Sequence, residues 1–163
     1  MADTVNIRPR FPADMVSCVS LLSQVHKQDG YPLLWPADPR AWLSGSRQLN
    51  AWVADQAGVI AGHVALTRPR PAAAADIWAA ALRVRAADLL CVSLLFVAPQ
   101  ERGRGTGGRL LDIALGETQA RGAATALEVV SLNQHAIALY RARGWREIGS
   151  VTVGVKAVIQ TKR

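Results

Sequence analysis

The apolar positions change period repeatedly along the chain. Residues 5–8 read as a short strand that Pro9 stops. Over 13–27, Val16, Val19 and Leu21 or Leu22 recur at helical spacing and predict one apolar face. Residues 29–39 form a long loop rich in turn formers, from Asp29-Gly30-Tyr31-Pro32 to Trp35-Pro36-Ala37-Asp38-Pro39. Its last pair predicts an N-cap and a first-turn proline opening a short helix that contains Trp42. Residues 51–55 and 59–67 predict a hairpin across Gln56-Ala57-Gly58, which Arg68-Pro69-Arg70-Pro71 ends.

Residues 72–84 are alanine-rich and predict helix. Residues 89–97 are almost continuously apolar, as a central strand covered on both faces would be. A glycine-rich turn at 103–108 leads into a helix with Leu110, Leu111, Ala114, Leu115 and Thr118 inward, and Gly122 stops it. A strand at 126–130, a helix at 133–143 ended by Gly144, and strands at 145–148 and 151–159 complete the chain. The order predicts one mixed α/β (α+β) domain over 1–163, with a strand–helix–strand crossover at 89–130. At 163 residues the chain has no room for two full cores.

Composition narrows the picture. Half the residues are apolar and 19% are charged, so the chain can bury a core. The net charge of +7 first suggests a polyanionic partner such as nucleic acid or a membrane surface. The excess is uneven, with nine basic against seven acidic residues up to position 100 and ten against five after it. The longest apolar run, 89–98, is broken by Ser93 and is too short to span a bilayer, and no signal-peptide pattern opens the sequence. Cys18 and Cys91 form no spaced cluster, so neither a metal site nor a disulfide framework is expected. Reduced, buried thiols in a cytoplasmic protein are the expectation.

The informative segment is Val97-Ala98-Pro99-Gln100-Glu101-Arg102-Gly103-Arg104-Gly105-Thr106-Gly107-Gly108-Arg109, between a buried strand and a helix. Glycines let backbone amides approach a ligand, and a helix N-terminus offers unpaired donors to an anion. Arg102, Arg104 and Arg109 carry the wrong sign for stabilising that helix end, a conflict that a bound anion resolves. A P-loop requires Lys and Ser or Thr after its last glycine, and Gly108 is followed by Arg109 and Leu110. Gly103, Gly105 and Gly108 match the dinucleotide fingerprint, with Glu128 twenty residues on, but five residues separate Val97 from Gly103 and too little chain follows for a doubly wound sheet.

A third pattern, Arg/Gln-x-x-Gly-x-Gly/Ala, is filled by Arg102, Gly105 and Gly107. It resembles the acetyl-CoA pyrophosphate loop of the GNAT superfamily of N-acetyltransferases. Downstream, Leu127-Glu128-Val129, Asn133, Ala136, Leu139-Tyr140 and Gly144-Trp145 resemble that family's second signature, with Trp145 where Phe is usual. The motifs cover residues 89–146.

The resemblance implies a mixed sheet that splays between two parallel strands, 89–97 and 126–130, and is flanked by helices. It implies acetyl-CoA as co-substrate, its pantetheine arm lying in that splay. Backbone groups at Phe96 and Val97 are then expected to bond the arm. The amides of Gly103, Arg104, Gly105, Thr106, Gly107 and Gly108 would hold the pyrophosphate, with Arg102 or Arg104 reaching a phosphate. Asn133 and Ala136 would line the arm, Tyr140 would be the general acid, and amides near Val97 would steady the oxyanion.

The residue types suit the chemistry. An amine of pKa about 10.4 is protonated at neutral pH and must lose a proton before it attacks. Glu128, twelve residues before Tyr140 as in the branch that acetylates ribosomal-protein N-termini, is the candidate base, with Asp88 and Ser93 weaker alternatives. His63 and His26 read as structural. Asp29, Tyr31 and Trp35 fall where the family builds its acceptor pocket, and Trp42 there reads as packing. Trp78 sits in the 72–84 insertion, over a pocket or an interface.

The expected reaction is direct acetyl transfer to a primary amine, on a small molecule, a peptide N-terminus or a lysine, in a ternary complex. The alternative is a non-catalytic acyl-CoA-binding module of the same fold. No nucleic-acid or membrane partner is expected, and a homodimer is admitted. Arg141, Arg143, Arg146, Lys156, Lys162 and Arg163 are left unassigned.

Overall fold

The computed structural model describes residues 4–70, 73–153 and 155–162. Arg163, Ala72 and the side chains of Lys156 and Lys162 lie outside the described residues. Seven strands hydrogen-bond in the order β1-β2-β3-β4-β5-β7-β6: β1 (Asn6–Pro9), β2 (Gln48–Gln56), β3 (Val59–Thr67), β4 (Leu89–Val97), β5 (Ala124–Val130), β6 (Arg146–Val153) and β7 (Val155–Lys162). The helices are α1 (Met15–Asp29), α2 (Pro39–Leu43), α3 (Ala73–Leu82), α4 (Thr106–Ala120) and α5 (Gln134–Ala142). None of the described helices is long and apolar enough to cross a membrane. The chain divides into two compact units, the described residues up to Ala65 with Leu94–Ile113, and Leu66–Ser93 with the described residues from Ala114 on.

In the first unit α1 supplies the apolar ridge. Cys18, Leu21, Leu22 and Val25 fall at i, i+3, i+4 and i+7 and are all buried, against Leu43, Val53, Ile60, Phe96 and Ala98. Full burial of each leucine stabilises by roughly 1.5–3 kcal/mol. This register corrects the sequence reading. Val16 is 62% exposed, and Cys18 takes the place assigned to it because a thiol packs as a small hydrophobe. Burial also pushes the Cys18 thiol up to about 11, so it stays protonated. A 3-10 turn, Pro12–Asp14, takes up the start expected of the helix, and Gly30 ends it in a left-handed conformation at φ 71°.

The short helix α2 forms as its residues require, with the Asp38 carboxylate accepting from the Ala41 amide at 3.0 Å. The β2–β3 turn needs two positive φ values, 50° at Ala57 and 87° at Gly58, and Asp55 accepts from the Gly58 amide at 2.8 Å. Pro9 belongs to β1 instead of stopping it, because β1 is an edge strand. Arg8 ties this corner, donating to both oxygens of Asp14 at 2.8 and 2.9 Å and to Asp55 at 2.9 Å.

In the second unit α3 buries Ala75, Trp78 and Leu82 against Leu89, Cys91 and Ala126. Trp78 is therefore a core residue of this unit. The helix passes close over β6, where a Cβ on Gly149 would stand 3.4 Å from Ile77. Strand β5 pairs with β7 from Thr125↔Lys162 to Val130↔Ala157. It also pairs in parallel with β4 through Leu89↔Ala124, Leu90↔Thr125 and Cys91↔Ala126. That parallel ladder stops there, so Val92 and Ser93 have parted from Leu127 and Glu128.

One glycine of the first unit is required by close approach. A Cβ on Gly62 would stand 2.8 Å from Leu110 Cδ1 and 3.2 Å from the Phe96 carbonyl oxygen. The methyl must displace backbone as well as a flexible side chain. Gly62→Ala is expected to destabilise the protein by roughly 1–3 kcal/mol, read as a lowered midpoint in urea at unchanged slope. A variant as stable as the parent would show that β4 yields at Phe96.

Candidate active site

Two groups of sequence-predicted residues are set out by the fold, one in each unit. The first surrounds the end of β4. The strand is buried from Leu89 to Val92 and only half-buried at Ser93, Leu94 and Leu95, so it is not covered on both faces along its whole length as its composition suggests. Leu94 adopts a left-handed backbone, φ 54°, in mid-strand. For a leucine this costs roughly 1–3 kcal/mol and persists only where the surroundings impose it.

The surroundings impose it through His63. Its Nδ1 lies 2.8 Å from the Leu94 carbonyl oxygen, and its Nε2 lies 2.9 Å from Arg10 Nη1. A carbonyl only accepts and a guanidinium only donates, so Nδ1 carries the proton and Nε2 is the acceptor. Arg10 is held in turn by the Leu43 carbonyl and Gln48 Oε1, both at 2.8 Å. The His63 ring stacks on Phe96 at 5.1 Å. Burial lowers its pKa to about 4, and the Arg10 charge adds to the effect against the Leu94 bond. His63 is therefore a neutral clamp on the backbone next to Phe96, a role no sequence pattern marks. His26 is also structural, bonded through Nδ1 to the Pro32 carbonyl at 2.7 Å.

After β4 the Ala98 amide bonds back to the Ala61 carbonyl at 2.8 Å, and Pro99–Glu101 makes one 3-10 turn. Gly103 and Gly105 take φ values of 74° and 81° with open space where a Cβ would stand, so the backbone angle requires them and crowding does not. Helix α4 starts at Thr106 with no acidic residue in its first turn, and its leading amides have no partner within the helix. The sign conflict at this helix end is settled in part by the protein itself. Arg102 pairs with Asp29 and reaches the Val97 carbonyl, Arg104 pairs with Glu101 at 3.1 Å, and Arg109 donates to the Val5 carbonyl at 2.8 Å. Of the acceptor-side residues, Asp29 is thus engaged by Arg102. Tyr31 leans on Phe96 and Trp42, and Trp35 stands beside His26 with 40% of its surface exposed.

The second group lies on β5 and α5. Asn133 caps α5, its side-chain oxygen accepting from the Ala136 amide at 3.2 Å. Ile137 and Tyr140 on the same stripe are buried and Ala136 is half-buried. The Tyr140 ring packs on Trp145 at 5.9 Å. Among the described residues nothing hydrogen-bonds its hydroxyl, and burial pushes its pKa far above the ordinary phenol value. It stays protonated and can donate. Glu128, on β5 beyond the end of the parallel ladder, is an exposed residue. Partial desolvation of its carboxyl nonetheless raises the pKa, and the nearby Arg70 charge offsets part of that rise. Ser93 shares a 2.9 Å hydrogen bond with Thr67, and Asp88 is paired with Arg85 at 2.8 Å, which leaves both poorly suited to act as the base.

The sequence from residue 18 to 145 matches the family model described as Acetyltransferase (GNAT) family. No curated protein matches the chain. Among solved structures, the ribosomal-protein-S18-alanine N-acetyltransferase from Escherichia coli is similar at 22% identity and a TM-score of 0.68, over 96% of this chain and 92% of that one. The protein yncA of Salmonella typhimurium, a putative acetyltransferase solved with its cofactor acetyl-CoA, gives 18% identity and 0.72 over 98% and 94%. The protein smu.2055 from Streptococcus mutans gives 20% and 0.74 over 96% and 98%. At these identities the likeness is one of fold.

The His63 clamp has a pH signature. Its pKa is lower folded than unfolded, so the unfolded chain takes up the proton first. Its stabilisation is complete above about pH 6.5 and is lost as pH falls towards 4, by about 1.4 kcal/mol per unit at most. Urea melts at pH 7 and pH 4.5 are expected to show a smaller acid loss for His63→Gln than for the parent. Equal losses would mean that His63 does not titrate with unfolding.

Proposed function

The chain belongs to the acetyltransferase (GNAT) family, and on that footing we propose that it transfers the acetyl group of acetyl-CoA directly to a primary amine in a ternary complex. The whole chain, 1–163, works as one N-acetyltransferase domain. The observation that carries the reading is Tyr140, a buried side chain whose hydroxyl is kept protonated and has no hydrogen-bond partner among the described residues. A core tyrosine ordinarily satisfies its hydroxyl. One that does not is suited to a ligand atom.

Each residue has a part. The glycine turn at Gly103–Gly108 and the leading amides of α4 suit the pyrophosphate, because left-handed glycines aim backbone donors and the helix end lacks an acid of its own. With Arg102 and Arg104 engaged by carboxylates, backbone donors hold the phosphates and the arginines shape the rim. Backbone groups at Phe96 and Val97 bond the arm, and Asn133 and Ala136 line it. Glu128 takes the proton from the acceptor ammonium, by itself or through water. The freed amine attacks the thioester carbonyl, the carbon–sulfur bond breaks, and Tyr140 protonates the departing thiolate. Asp29, Tyr31 and Trp35 border the acceptor. The buried thiols Cys18 and Cys91, neither of them in a disulfide, suit a reducing cytoplasm.

Acetyl-CoA at millimolar concentration is expected to raise the melting temperature, since it binds the folded state. A thiol-release assay over amines, amino acids, polyamines and peptides then identifies the acceptor class. Tyr140→Phe is expected to lower kcat by roughly 10²–10⁴-fold with acetyl-CoA affinity within twofold of the parent. Unchanged turnover removes Tyr140 as the acid.

Glu128 has its own signature. The parent kcat/KM is expected to fall as pH drops through the raised Glu128 pKa, because the base is then protonated. Glu128→Gln is expected to be slow throughout and to lack that acid limb. A variant that keeps the parent's rate and profile excludes Glu128 as the base.

A further inference from the structure

His63 grips β4 by one bond, and the direction of that bond decides what the strand presents on its other side. Gly62 and His63 are successive residues of β3, so they face opposite sides of the sheet. The Gly62 side meets α4, since a Cβ there would stand 2.8 Å from Leu110 Cδ1. The His63 side meets the α1 core, through the ring of Phe96.

A ladder carbonyl lies near the plane of the sheet and accepts from the backbone of the next strand. The Leu94 carbonyl accepts at 2.8 Å from a side chain that stands on the α1 face. The left-handed backbone of Leu94, φ 54°, turns the carbonyl towards that face. A trans peptide is planar, with its N–H antiparallel to its C=O. The Leu95 amide therefore points away from His63, to the α4 side of the sheet. That is the side on which α4 presents its leading amides. Ser93, Leu94 and Leu95 are half-buried, so this stretch keeps surface that a ligand can reach.

The grip is itself fixed. His63 is fully buried, and Arg10 donates to its Nε2 at 2.9 Å, which keeps the proton on Nδ1, where Leu94 receives it. Arg10 donates to the Leu43 carbonyl and to Gln48 Oε1, both at 2.8 Å, and Gln48 donates to the same carbonyl at 2.7 Å. A chain of bonds from the end of α2 through Arg10 and His63 thus sets the direction of one amide of β4.

An amide so aimed has a use. When an amine adds to a thioester carbonyl, negative charge builds on the oxygen, and a donor oriented beforehand stabilises it without reorganising. Strand β4 runs into the glycine turn. An arm held there by its phosphates reaches Val97 first and Phe96 next, and its thioester end comes to Leu95.

We propose that His63 and Arg10 are positioning residues for the acetyl group, turning the Leu95 amide to the thioester carbonyl oxygen of bound acetyl-CoA. The assignment rests on acetyl-CoA as the ligand of β4 and holds whether or not an amine is then acetylated. Both side chains act through Leu94 and touch no reacting atom.

Two substitutions divide the clamp. In His63→Asn the side-chain amide nitrogen is as many bonds from the backbone as Nδ1, and it keeps the donor to Leu94. In His63→Gln the amide stands in the place of Nε2, so a partner for Arg10 is kept and the Leu94 bond is lost. Melting temperatures control for folding. Infrared difference spectra of acetyl-CoA isotope-labelled at the thioester carbonyl, with no acceptor present, read the donor directly. The carbonyl stretch is expected at lower frequency on the parent than in solution. His63→Asn is expected to keep that shift and His63→Gln to lose it. In the thiol-release assay, kcat of His63→Gln is expected to fall roughly 10²-fold with the acceptor KM near the parent's, and His63→Asn to recover roughly tenfold of that loss.

A shift that survives in His63→Gln, or equal losses of shift and rate in the two variants, overturns the positioning role. A shift lost in His63→Gln with no amine acetylated by the parent upholds it and overturns the transfer reading. Turnover that His63→Gln leaves unchanged does the reverse. A parent that does not bind acetyl-CoA overturns both.

Discussion

A strand that is apolar from end to end would normally pair from end to end, and β4 does not. Its parallel ladder with β5 ends at Cys91↔Ala126, and three residues later Leu94 turns into a left-handed backbone. Neither feature is stable by itself. Parting leaves ladder groups without their strand partner, and a left-handed leucine costs free energy. The bond from the protonated Nδ1 of His63 to the Leu94 carbonyl, with Arg10 holding the far side of the ring, offsets the second cost. The stacking of His63 on Phe96 extends the same restraint along the strand. Backbone groups at Phe96 and Val97 can serve a ligand because the strand around them is held in a shape that regular pairing would erase.

Charge is distributed by a similar logic. A surplus of seven positive charges describes the whole chain, yet the arginines fall into classes by what they touch. Arg8 and Arg10 are structural, the first bound to Asp14 and Asp55 and the second to His63, Leu43 and Gln48. The arginines of the glycine turn are balanced locally by Asp29, Glu101 and a carbonyl oxygen. Arg68 and Arg70 are exposed and make no hydrogen bond or ion pair among the described residues. Neutralisation within the turn also explains why arginines can surround a helix N-terminus whose dipole disfavours them.

Much of this was legible in the residues, for reasons that differ by element. The glycine turn was readable because left-handed angles at Gly103 and Gly105 admit few other side chains. Asn133 and Asp38 were readable as caps because each side chain serves an amide three residues ahead, a local geometry. The face of α1 was misplaced by counting Val16 and passing over Cys18, since periodicity constrains spacing more firmly than phase. The half-buried stretch Ser93–Leu95 was not foreseeable from composition, because a leucine is apolar whether or not it is covered.

The sequence by itself determined the order of strands and helices, the crossover at 89–130, the turn and the motifs that mark the family, because each depends on contacts within a few residues or on backbone angles that single side chains dictate. The tertiary structure decided which groups meet across long separations. It joined His63 to Leu94 and Arg10, engaged Arg102 with Asp29, and among the described residues left the Tyr140 hydroxyl without a hydrogen-bond partner. Protonation states and free hydrogen-bonding capacity arise from burial and from distant neighbours, and neither is encoded in the spacing of residues along the chain.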